Sequence, residues 1–473
     1  MPDLYSELIK LSESDVYPFH MPGHKRNLES TPLKGAFRCD ITEIDGFDNL
    51  HDERGIILEA EKRAAKLFGA KKSFFLINGS TAGVLSAVSA AVREGGRILA
   101  ARGSHKSFYH AAYLRRLDIE YLPVKMIDKY GIYDGYTGYD IEKVLKESEK
   151  LPDAVFITSP TYEGRCSDLR DIADVCHRYG IPLIVDAAHG AHFGLGLGMP
   201  ESAAGQGADI SICSLHKTLP SMTQTAIIHL CGDIIEEDRL KRFLKIYQSS
   251  SPSYVLMSSI DLCIKEMTEN AASFTEKLLS FRQRIQDGVK DLEHIQIPDL
   301  SILQDPAKVL IYADSDKMTG QRLYDILREE YKLQLEMATE HCALGILSGW
   351  DRPEGIERLI ESLCEIDRGL IGSSYLDDKK MSFELPECRI PLYKAWDMER
   401  EEVPLNRAAG RISAEFINLY PPGIPLIVPG EVYGRDFFGM IDECLQEGLN
   451  VQGVTDGRTT MPGRRGVLCV KQK

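Results

Sequence analysis

From about residue 51 onward, short apolar runs alternate with segments of helical periodicity. The runs that read as buried strands are Ser73–Ile77, Arg97–Ala101, Ala154–Thr158, Leu183–Asp186, Asp209–Cys213 and Lys308–Asp314. Amphipathic spacing predicts helices at Gly55–Phe68, Ser80–Val92, Asp168–Tyr179, Tyr254–Lys290, Thr319–Glu330 and Gly355–Leu370. Strands and helices that alternate in this way form βα crossover units. The pattern therefore predicts an α/β fold whose large domain has a mostly parallel sheet covered by helices.

Changes in this rhythm predict four parts of the chain. Residues 1–50 have little periodicity and are interrupted by proline and glycine, which predicts an N-terminal arm. Residues 51–265 carry the repeated βα pattern and form the predicted large domain, and residues 266–370 form a small α/β domain. The polar segment that follows, GSSYLDDKKMSFELPE, predicts a boundary, so residues 371–473 form a C-terminal domain.

Composition and charge narrow the class of protein. A chain of 473 residues exceeds one ordinary core, and 43% hydrophobic and 27% charged residues are typical of a soluble globular protein. The 56 basic and 71 acidic residues give a net charge of −15, which disfavours nucleic acid and membrane as partners. We see no signal peptide and no membrane-length apolar run. Eleven scattered cysteines without a CxxC pair predict reduced thiols in the cytoplasm.

The segment Asn78-Gly79-Ser80-Thr81 follows a predicted strand and opens a predicted helix. Free backbone N–H groups and the positive end of the helix dipole favour a phosphate there, and the hydroxyls of Ser80 and Thr81 add donors. A plain helix N-cap with a tight turn is the alternative. The spacing matches neither a Walker loop nor GxGxxG, so a nucleotide is disfavoured.

Asp186 ends the apolar run PLIVD, at the carboxyl end of a predicted parallel strand, where α/β folds place ligands. A buried carboxylate there needs a cationic partner, and a protonated pyridine nitrogen would be one. His189 and His192 follow in a D-x-x-H-x-x-H string that also suggests a metal site. Gly190 and the small residues beside it favour a tight turn over a helical face of ligands, so we predict no metal.

Lys217, in the segment SLHK, lies just past another apolar run. A lysine at such an edge is unfavourable unless it is neutral, paired or covalently bonded, and Schiff-base chemistry uses a lysine of this kind. A surface lysine is the alternative. Ser214 lies near enough to donate to a phosphate. His105, in the segment SHKS after a third strand, either lies over a flat ring or is a structural histidine.

These segments together match pyridoxal 5'-phosphate (PLP), which has a phosphate, a ring with a nitrogen, and an aldehyde. The loop at Ser80, the ring of His105, the carboxylate of Asp186 and the amine of Lys217 supply a partner for each part of the cofactor. We therefore predict a PLP enzyme.

A set of segments in this order resembles the Orn/Lys/Arg decarboxylases of PLP fold type I, in their short bacterial form. The segments are FHMPGHK, DITEIDGFDNLH, NGSTAG, SHKS, SPTYEG, DAAHGAH, SLHKTLPSMTQ, SSSPSY and YPPGIPLIVPGE, and they span nearly the whole chain. The resemblance implies an aspartate-aminotransferase-like large domain. It also implies decarboxylation of lysine, arginine or ornithine to a diamine or agmatine in polyamine metabolism.

The resemblance implies cofactor-binding roles for Ser80, Thr81, His105, Asp186, His189, Ser214, His216, Lys217, Ser249 and Ser250. In this assignment Asp186 pairs with the ring nitrogen, Lys217 forms the Schiff base and His105 stacks on the ring. Ser249 and Ser250 reach the phosphate from the partner subunit. We therefore expect a homodimer or a small oligomer, since the chain also lacks the N-terminal domain with which larger members build decamers.

The implied catalytic residues are Lys217, His216, His105 and Asp186. Asp186 keeps the ring nitrogen protonated, so that the ring accepts the electrons left when CO2 departs. Lys217 or His216 returns a proton to Cα. Glu431, in the PGE motif, is implied to bind the distal cation of the substrate.

Two alternatives to a decarboxylase stay open. An aminotransferase or a lyase of the same fold type keeps Lys217 and Asp186 but orients the substrate differently. A catalytically silent relative usually lacks the lysine or the acid, and both are present here. The basic substrate is also open, because lysine and ornithine differ by one methylene, which a pocket discriminates by only about 1–3 kcal/mol.

Overall fold

The computed structural model describes residues 3–300, 303–376, 385–419, 423–435, 437–446, 449–455 and 465–472. Part of the polar segment at the predicted boundary beyond residue 370, and Tyr420, Pro421 and Pro422 of the YPPGIP motif, lie outside these residues. No helix in the described ranges is long and apolar enough to cross a bilayer.

The α-helices of the described chain are α1 (Leu4–Glu13), α2 (Lys34–Cys39), α3 (Ile56–Phe68), α4 (Gly79–Ala91), α5 (Lys106–Leu114), α6 (Gly138–Glu147), α7 (Leu169–Arg178), α8 (Leu215–Thr218), α9 (Glu237–Tyr247), α10 (Tyr254–Val289), α11 (Gly320–Glu329), α12 (Pro353–Leu370), α13 (Leu392–Ala395) and α14 (Phe437–Gln446). Short 3₁₀ helices lie at Leu28–Ser30, Asp128–Tyr130 and Leu405–Arg407.

The strands are β1 (Lys72–Leu76), β2 (Arg97–Ala100), β3 (Asp118–Tyr121), β4 (Met126–Ile127), β5 (Ile132–Tyr133), β6 (Ala154–Thr158), β7 (Leu183–Asp186), β8 (Ile210–Ser214), β9 (Ala226–Leu230), β10 (Ile295–Gln296), β11 (Lys308–Ala313), β12 (Met337–Ala338), β13 (Cys342–Ile346), β14 (Arg400–Pro404), β15 (Ile417–Leu419), β16 (Ile424–Ile427), β17 (Val451–Gln452), β18 (Val454–Thr455) and β19 (Gly466–Val470). All strands and helices predicted from the sequence are present, with ends that agree within two residues.

The first compact unit comprises Met1–Ala91, Asp168–Leu278 and Ser348–Trp350. Its strands lie in the order β1-β9-β8-β7. Strands β7 and β8 are parallel, with Asp186 opposite Ile212, whereas β9 is antiparallel to both of its neighbours. The parallel register brings the carboxyl ends of β7 and β8 to one edge, and this edge carries Asp186 and Ser214.

Helix α4 packs closely on this sheet at Gly83. A Cβ atom at this position would lie 2.6 Å from Cδ1 of Leu76 and 2.8 Å from Cγ2 of Ile212. Glycine is therefore required for the helix to approach β1 and β8 this closely. The approach holds the first turn of α4 beside the strand ends.

Residues 1–50 contain helices α1 and α2, which the sequence analysis did not predict. Asp3 caps α1, because its carboxylate accepts the backbone N–H of Ser6 at 2.8 Å. The backbone N–H of Leu4 donates to Oδ2 of buried Asp261 at 2.8 Å, and Arg63 donates to Oδ1 of the same carboxylate at 2.7 Å. The start of the chain is thus fixed to α10.

The second compact unit comprises Val92–Ser167, Leu279–Leu347 and Asp351–Lys473. Strands β6, β2 and β3 pair in parallel in that order. The order in the four-stranded antiparallel sheet is β10-β11-β13-β12, and two three-stranded antiparallel sheets follow the orders β14-β19-β18 and β16-β15-β17. Separate apolar cores form around Leu310 and Leu344, and around Ile417 and Val467.

The predicted α/β class with parallel βα units is confirmed in both compact units. Each unit is assembled from segments that are separate in the sequence. The division of the chain into an arm and three domains, with boundaries at residues 50, 265 and 370, stays a prediction.

Candidate active site

The loop at Asn78 that precedes α4 is fixed by side-chain hydrogen bonds within the first unit. The backbone N–H of Ile77 donates to Oε1 of Gln248 at 2.8 Å, and Nε2 of Gln224 donates to the carbonyl of Ile77 at 2.6 Å. The side-chain oxygen of Asn78 accepts the N–H of Ser249 at 3.1 Å. These contacts fix the backbone from which the first turn of α4 begins.

Ser80 and Thr81 lie in that first turn, where Ser80 is half-buried and Thr81 is exposed. The N–H groups of a first helical turn have no intrahelical partners and attract an anion. The placement is compatible with the predicted phosphate contact.

Ser214 ends β8 and is fully buried. Its Oγ has no hydrogen-bond partner among the described residues. A buried hydroxyl without a partner is unfavourable, so a ligand oxygen that supplied one would stabilise the site. This unsatisfied hydroxyl fits the predicted phosphate contact.

Ser249 and Ser250 are exposed. The carbonyl oxygen of Ser249 accepts a hydrogen bond from Nε2 of His51 at 2.7 Å, and Oγ of Ser249 donates to the carbonyl of Ser251 at 3.3 Å. Their contact with a phosphate of the partner subunit stays a prediction.

Asp186 ends β7 and is 4% exposed. Its Oδ1 accepts the backbone N–H of Ala188 at 3.1 Å. Burial raises the pKa of this carboxyl group, although Lys217 and the Ala188 N–H act in the opposite direction. A cationic ligand group beside the carboxylate would lower its pKa again.

Lys217 lies on the short helix α8, directly after β8. Its Nζ lies 3.0 Å from Nε2 of His189, a buried residue on the segment that follows Asp186. Because the ammonium group donates, His189 accepts through Nε2. His189 therefore contacts the predicted Schiff-base amine, and its contact with the cofactor stays a prediction.

His216 is half-buried beside Lys217. Its Nδ1 lies 2.9 Å from the carbonyl of Thr225, which accepts only, so Nδ1 carries the proton. Burial lowers the pKa of this imidazole, the hydrogen bond to Thr225 acts in the opposite direction, and the charge of Lys217 lowers the pKa further. In the neutral ring with its proton on Nδ1, Nε2 is the unprotonated nitrogen.

The proposed metal alternative involved Asp186, His189 and His192. His192 is buried, and its ring packs edge-on against Phe193 with centroids 4.8 Å apart. Within the ranges that the structure describes, no group of three or more potential ligand side chains is placed to hold a metal ion.

His105 belongs to the second unit and caps α5. Its Nδ1 accepts the backbone N–H of Ser107 at 3.2 Å and lies 2.9 Å from the hydroxyl of that residue. The cap fixes the imidazole at the start of the helix. Stacking of this ring on a cofactor stays a prediction.

Glu431 also belongs to the second unit and is 2% exposed. Its Oε2 accepts Nη2 of Arg102 at 2.9 Å and the N–H of Val428 at 2.8 Å. Burial raises the pKa of Glu431, and Arg102 opposes this shift. The contact of Glu431 with the substrate cation stays a prediction. The carboxylate of Glu431 already accepts hydrogen bonds from Arg102 and Val428.

Arg102 was not among the predicted site residues. The sequence does show a charged residue, Arg102, directly after the apolar run RILAA. A charged side chain that is buried at such a position requires a counter-ion. The partner itself was not visible, because Glu431 lies 329 residues further along the chain.

The side chains of the first unit fit PLP. Asp186 offers a buried carboxylate for a ring nitrogen, Lys217 offers an amine, and Ser214 offers a buried hydroxyl that no described residue satisfies. These groups lie at the carboxyl ends of β7 and β8, as the sequence predicted for Asp186 and Lys217.

Comparison with known proteins gives a consistent result. Residues 2–331 match the family model of the Orn/Lys/Arg decarboxylase major domain, and residues 384–447 match its C-terminal domain. An arginine decarboxylase of Bacillus subtilis (strain 168) is 31% identical over 475 residues, covering 97% of this chain and 96% of that protein. Lysine decarboxylase LdcA of Pseudomonas aeruginosa is 25% identical, covering 93% of this chain and 75% of that protein.

Solved structures show the same fold. The lysine decarboxylase LdcF of Francisella novicida has a TM-score of 0.83 at 18% identity, covering 100% of this chain and 81% of that one. A ureidoglycine–glyoxylate aminotransferase of Bacillus subtilis has a TM-score of 0.57 at 14% identity, covering 73% and 90%. The family matches cover most of the chain, and the motifs at Ser80, Asp186 and Lys217 lie within residues 2–331. The chain belongs to the Orn/Lys/Arg decarboxylase family.

Proposed function

We propose that this protein catalyses the PLP-dependent decarboxylation of a basic amino acid, with arginine as the preferred substrate and agmatine as the product. The observation that carries the proposal is the grouping of buried Asp186, unsatisfied Ser214 and the Lys217–His189 pair in one unit. Arginine is favoured because the arginine decarboxylase of Bacillus subtilis is more similar to this chain than the lysine decarboxylase LdcA of Pseudomonas aeruginosa. The match also covers a larger share of the arginine decarboxylase than of LdcA.

Each part of the cofactor has a proposed partner in the first unit. Lys217 would hold the aldehyde, Asp186 the ring nitrogen, and Ser214 with Ser80 and Thr81 the phosphate. PLP, when bound, supplies a conjugated ring that accepts the electron pair left at Cα when the carboxylate leaves.

The protein's own groups would control the protons of this reaction. Asp186 is buried, so its carboxylate charge is unfavourable unless a cation lies beside it. The carboxylate would therefore favour a protonated ring nitrogen as its partner. His189 would orient Nζ of Lys217 through their 3.0 Å contact. His216, with its proton held on Nδ1 by Thr225, would accept or return a proton at Nε2.

A homodimer completes the proposal. Ser249 and Ser250 are exposed in the single chain. Residues that donate to a phosphate bound in the partner subunit must be exposed in this way before the two subunits associate. The cytoplasmic location and the role in polyamine metabolism stay predictions.

The test is a substrate panel with product identification. The purified holoprotein is given arginine, lysine or ornithine, and CO2 and the amine product are measured. We expect agmatine from arginine, with kcat/KM at least about tenfold above that of the other two. Lys217→Ala is the control and should release no CO2. Amino transfer to a keto acid without CO2 release would refute the proposal.

A further inference from the structure

The guanidinium group of Arg102 is fully buried and bonds to three different groups of the second unit. Nη1 donates to the hydroxyl oxygen of Tyr109 at 2.9 Å. Nη2 donates to Oε2 of Glu431 at 2.9 Å and to the carbonyl of Leu426 at 3.1 Å. The hydroxyl of Tyr109 in turn donates to the carbonyl of Arg102 at 2.8 Å, which closes a ring of hydrogen bonds.

These bonds join two segments that are distant in the sequence. Arg102 and Tyr109 belong to the stretch from the end of β2 into α5, whereas Leu426 and Glu431 belong to β16 and the PGE turn. A further bond runs from the N–H of Lys106 to the carbonyl of Gly423 at 3.3 Å. His105, the predicted ring-stacking residue, therefore lies between two attachments to the segment formed by residues 423–431.

The PGE turn is rigid where it contributes Glu431. Gly430 has φ +98°, and a Cβ atom there would lie 1.9 Å from the carbonyl oxygen of Ile390. The backbone carbonyl of Glu431 accepts the N–H of Ser413 at 2.8 Å, and its carboxylate accepts the N–H of Val428. The carboxylate that meets Arg102 is thus held from both sides.

The charges of the pair depend on each other. Burial lowers the pKa of Arg102, but Glu431 and the nearby tyrosines outweigh this effect, and the guanidinium stays charged. The group also lies over the ring of Tyr121, 5.1 Å from its centroid. Removal of either charge would leave the other buried without compensation.

We propose that Arg102 is a positioning residue, and that Glu431 acts on the reaction through Arg102 and not by contact with the substrate's distal cation. The pair holds the segment that carries His105 in the geometry that the reaction needs. This inference rests on the proposed decarboxylation.

The first experiment separates kcat from KM. Arg102→Gln and Glu431→Gln are each assayed with arginine, with rates expressed per bound PLP. Both should lower kcat by about tenfold or more and change KM by less than about threefold, and the double variant should be no worse than the poorer single variant. A large increase in KM for Glu431→Gln with unchanged kcat, and no effect of Arg102→Gln, would overturn the inference.

The second experiment tests whether the effect passes through His105. In a His105→Ala background, Arg102→Gln should reduce kcat by less than about twofold, because the residue it positions is absent. The visible circular dichroism of bound PLP should change in the same direction in Arg102→Gln as in His105→Ala. An undiminished loss of kcat in that background, or a dichroism spectrum identical to wild type, would contradict the inference.

Tyr109→Phe is a milder variant, which tests the inference even if Arg102→Gln or Glu431→Gln does not fold. It retains the ring and removes both hydrogen bonds to Arg102, so kcat should fall about threefold or more, while the far-ultraviolet circular dichroism spectrum stays that of the folded wild type. Unchanged kcat and unchanged dichroism would count against the inference. If the wild-type protein released no CO2 from any substrate, the proposed function would fail, and the dichroism comparison would still decide the positioning role.

Discussion

Asp186 and Ser214 are buried polar side chains at the carboxyl ends of β7 and β8. Burial raises the pKa of the Asp186 carboxyl group, and the Ser214 hydroxyl lacks a partner among the described residues. Such groups lower the stability of the protein unless a ligand satisfies them. The site therefore favours binding of a molecule with one cationic and one anionic part.

Asp186→Ala should abolish decarboxylation while the fold survives, because the ring nitrogen would lose the carboxylate that keeps it protonated. We expect kcat to fall by about 10³-fold or more with an unchanged far-ultraviolet circular dichroism spectrum. Turnover near the wild-type rate would show that Asp186 does not hold the cofactor.

Ser214→Ala should weaken PLP binding by about tenfold, since the lost hydroxyl is a phosphate donor in our assignment. The affinity is measured by titration of the apoprotein with PLP. Ser86→Ala is a matched control, because Ser86 in the middle of α4 also has a buried hydroxyl for which the described part of the chain offers no partner. Equal weakening in the two variants would mean that the Ser214 effect is not local.

The apoprotein should become less stable as the pH rises past the ordinary pKa of Asp186. Folding raises the pKa of the Asp186 carboxyl group, so the folded protein binds this proton more tightly than the unfolded chain does. The protonated carboxyl group therefore stabilises the folded protein at low pH, and this contribution is lost as the pH rises through the folded-state pKa. Asp186→Asn should therefore raise the melting temperature of the apoprotein at neutral pH, with a gain that shrinks in acid. A gain independent of pH would exclude titration of Asp186 as its cause.

At the scale of elements, the close contact of α4 with the sheet determines where the predicted phosphate loop lies. Gly83→Ala would place a methyl group within 3 Å of Leu76 and Ile212. We expect a loss of about 1–3 kcal/mol of unfolding free energy and weaker PLP binding, because the first turn of α4 would be displaced. Gly369→Ala in α12 is the control and should be neutral or stabilising, because no atom of the described residues lies within 4 Å of a Cβ atom at this position.

The elements with strong local patterns could be predicted from the sequence, and those that depend on distant partners could not. Helix α4 and strands β7 and β8 carry apolar runs with clear ends. Strand β9 was not predicted, because the polar residue His229 interrupts its apolar run; His229 is buried through its pairing with β1, where its side chain hydrogen-bonds that of Ser73 at 2.7 Å. Helix α1 was missed because its stability depends on Asp261 of α10.

At the scale of the whole molecule, the alternation of apolar runs and helical segments predicted the α/β class and the positions of Asp186 and Lys217 at strand ends, because local sequence determines where a strand stops. It did not predict the partner of Glu431. The ion pair with Arg102 depends on a contact between segments 329 residues apart, which no local pattern records.

Subunit mixing should reveal whether the active site is shared. Lys217→Ala and Ser249→Ala/Ser250→Ala are each expected to be nearly inactive alone. If the serines act on the partner's site, each mixed dimer contains one intact site, and random reassociation of equal amounts should restore about a quarter of wild-type activity. Mixing without any recovery would place the serines at the site of their own chain.

The attachment of the first residues to α10 has a consequence for synthesis on the ribosome. Leu4 bonds to Asp261, and the first compact unit is completed only by segments that reach Leu278 and, later, Trp350. While the ribosome translates Val92–Ser167, the emerging amino-terminal segment has no finished unit to join. Nascent chains that stop before α10 should therefore remain sensitive to protease, and chaperones that bind exposed apolar segments would have a long interval in which to engage them.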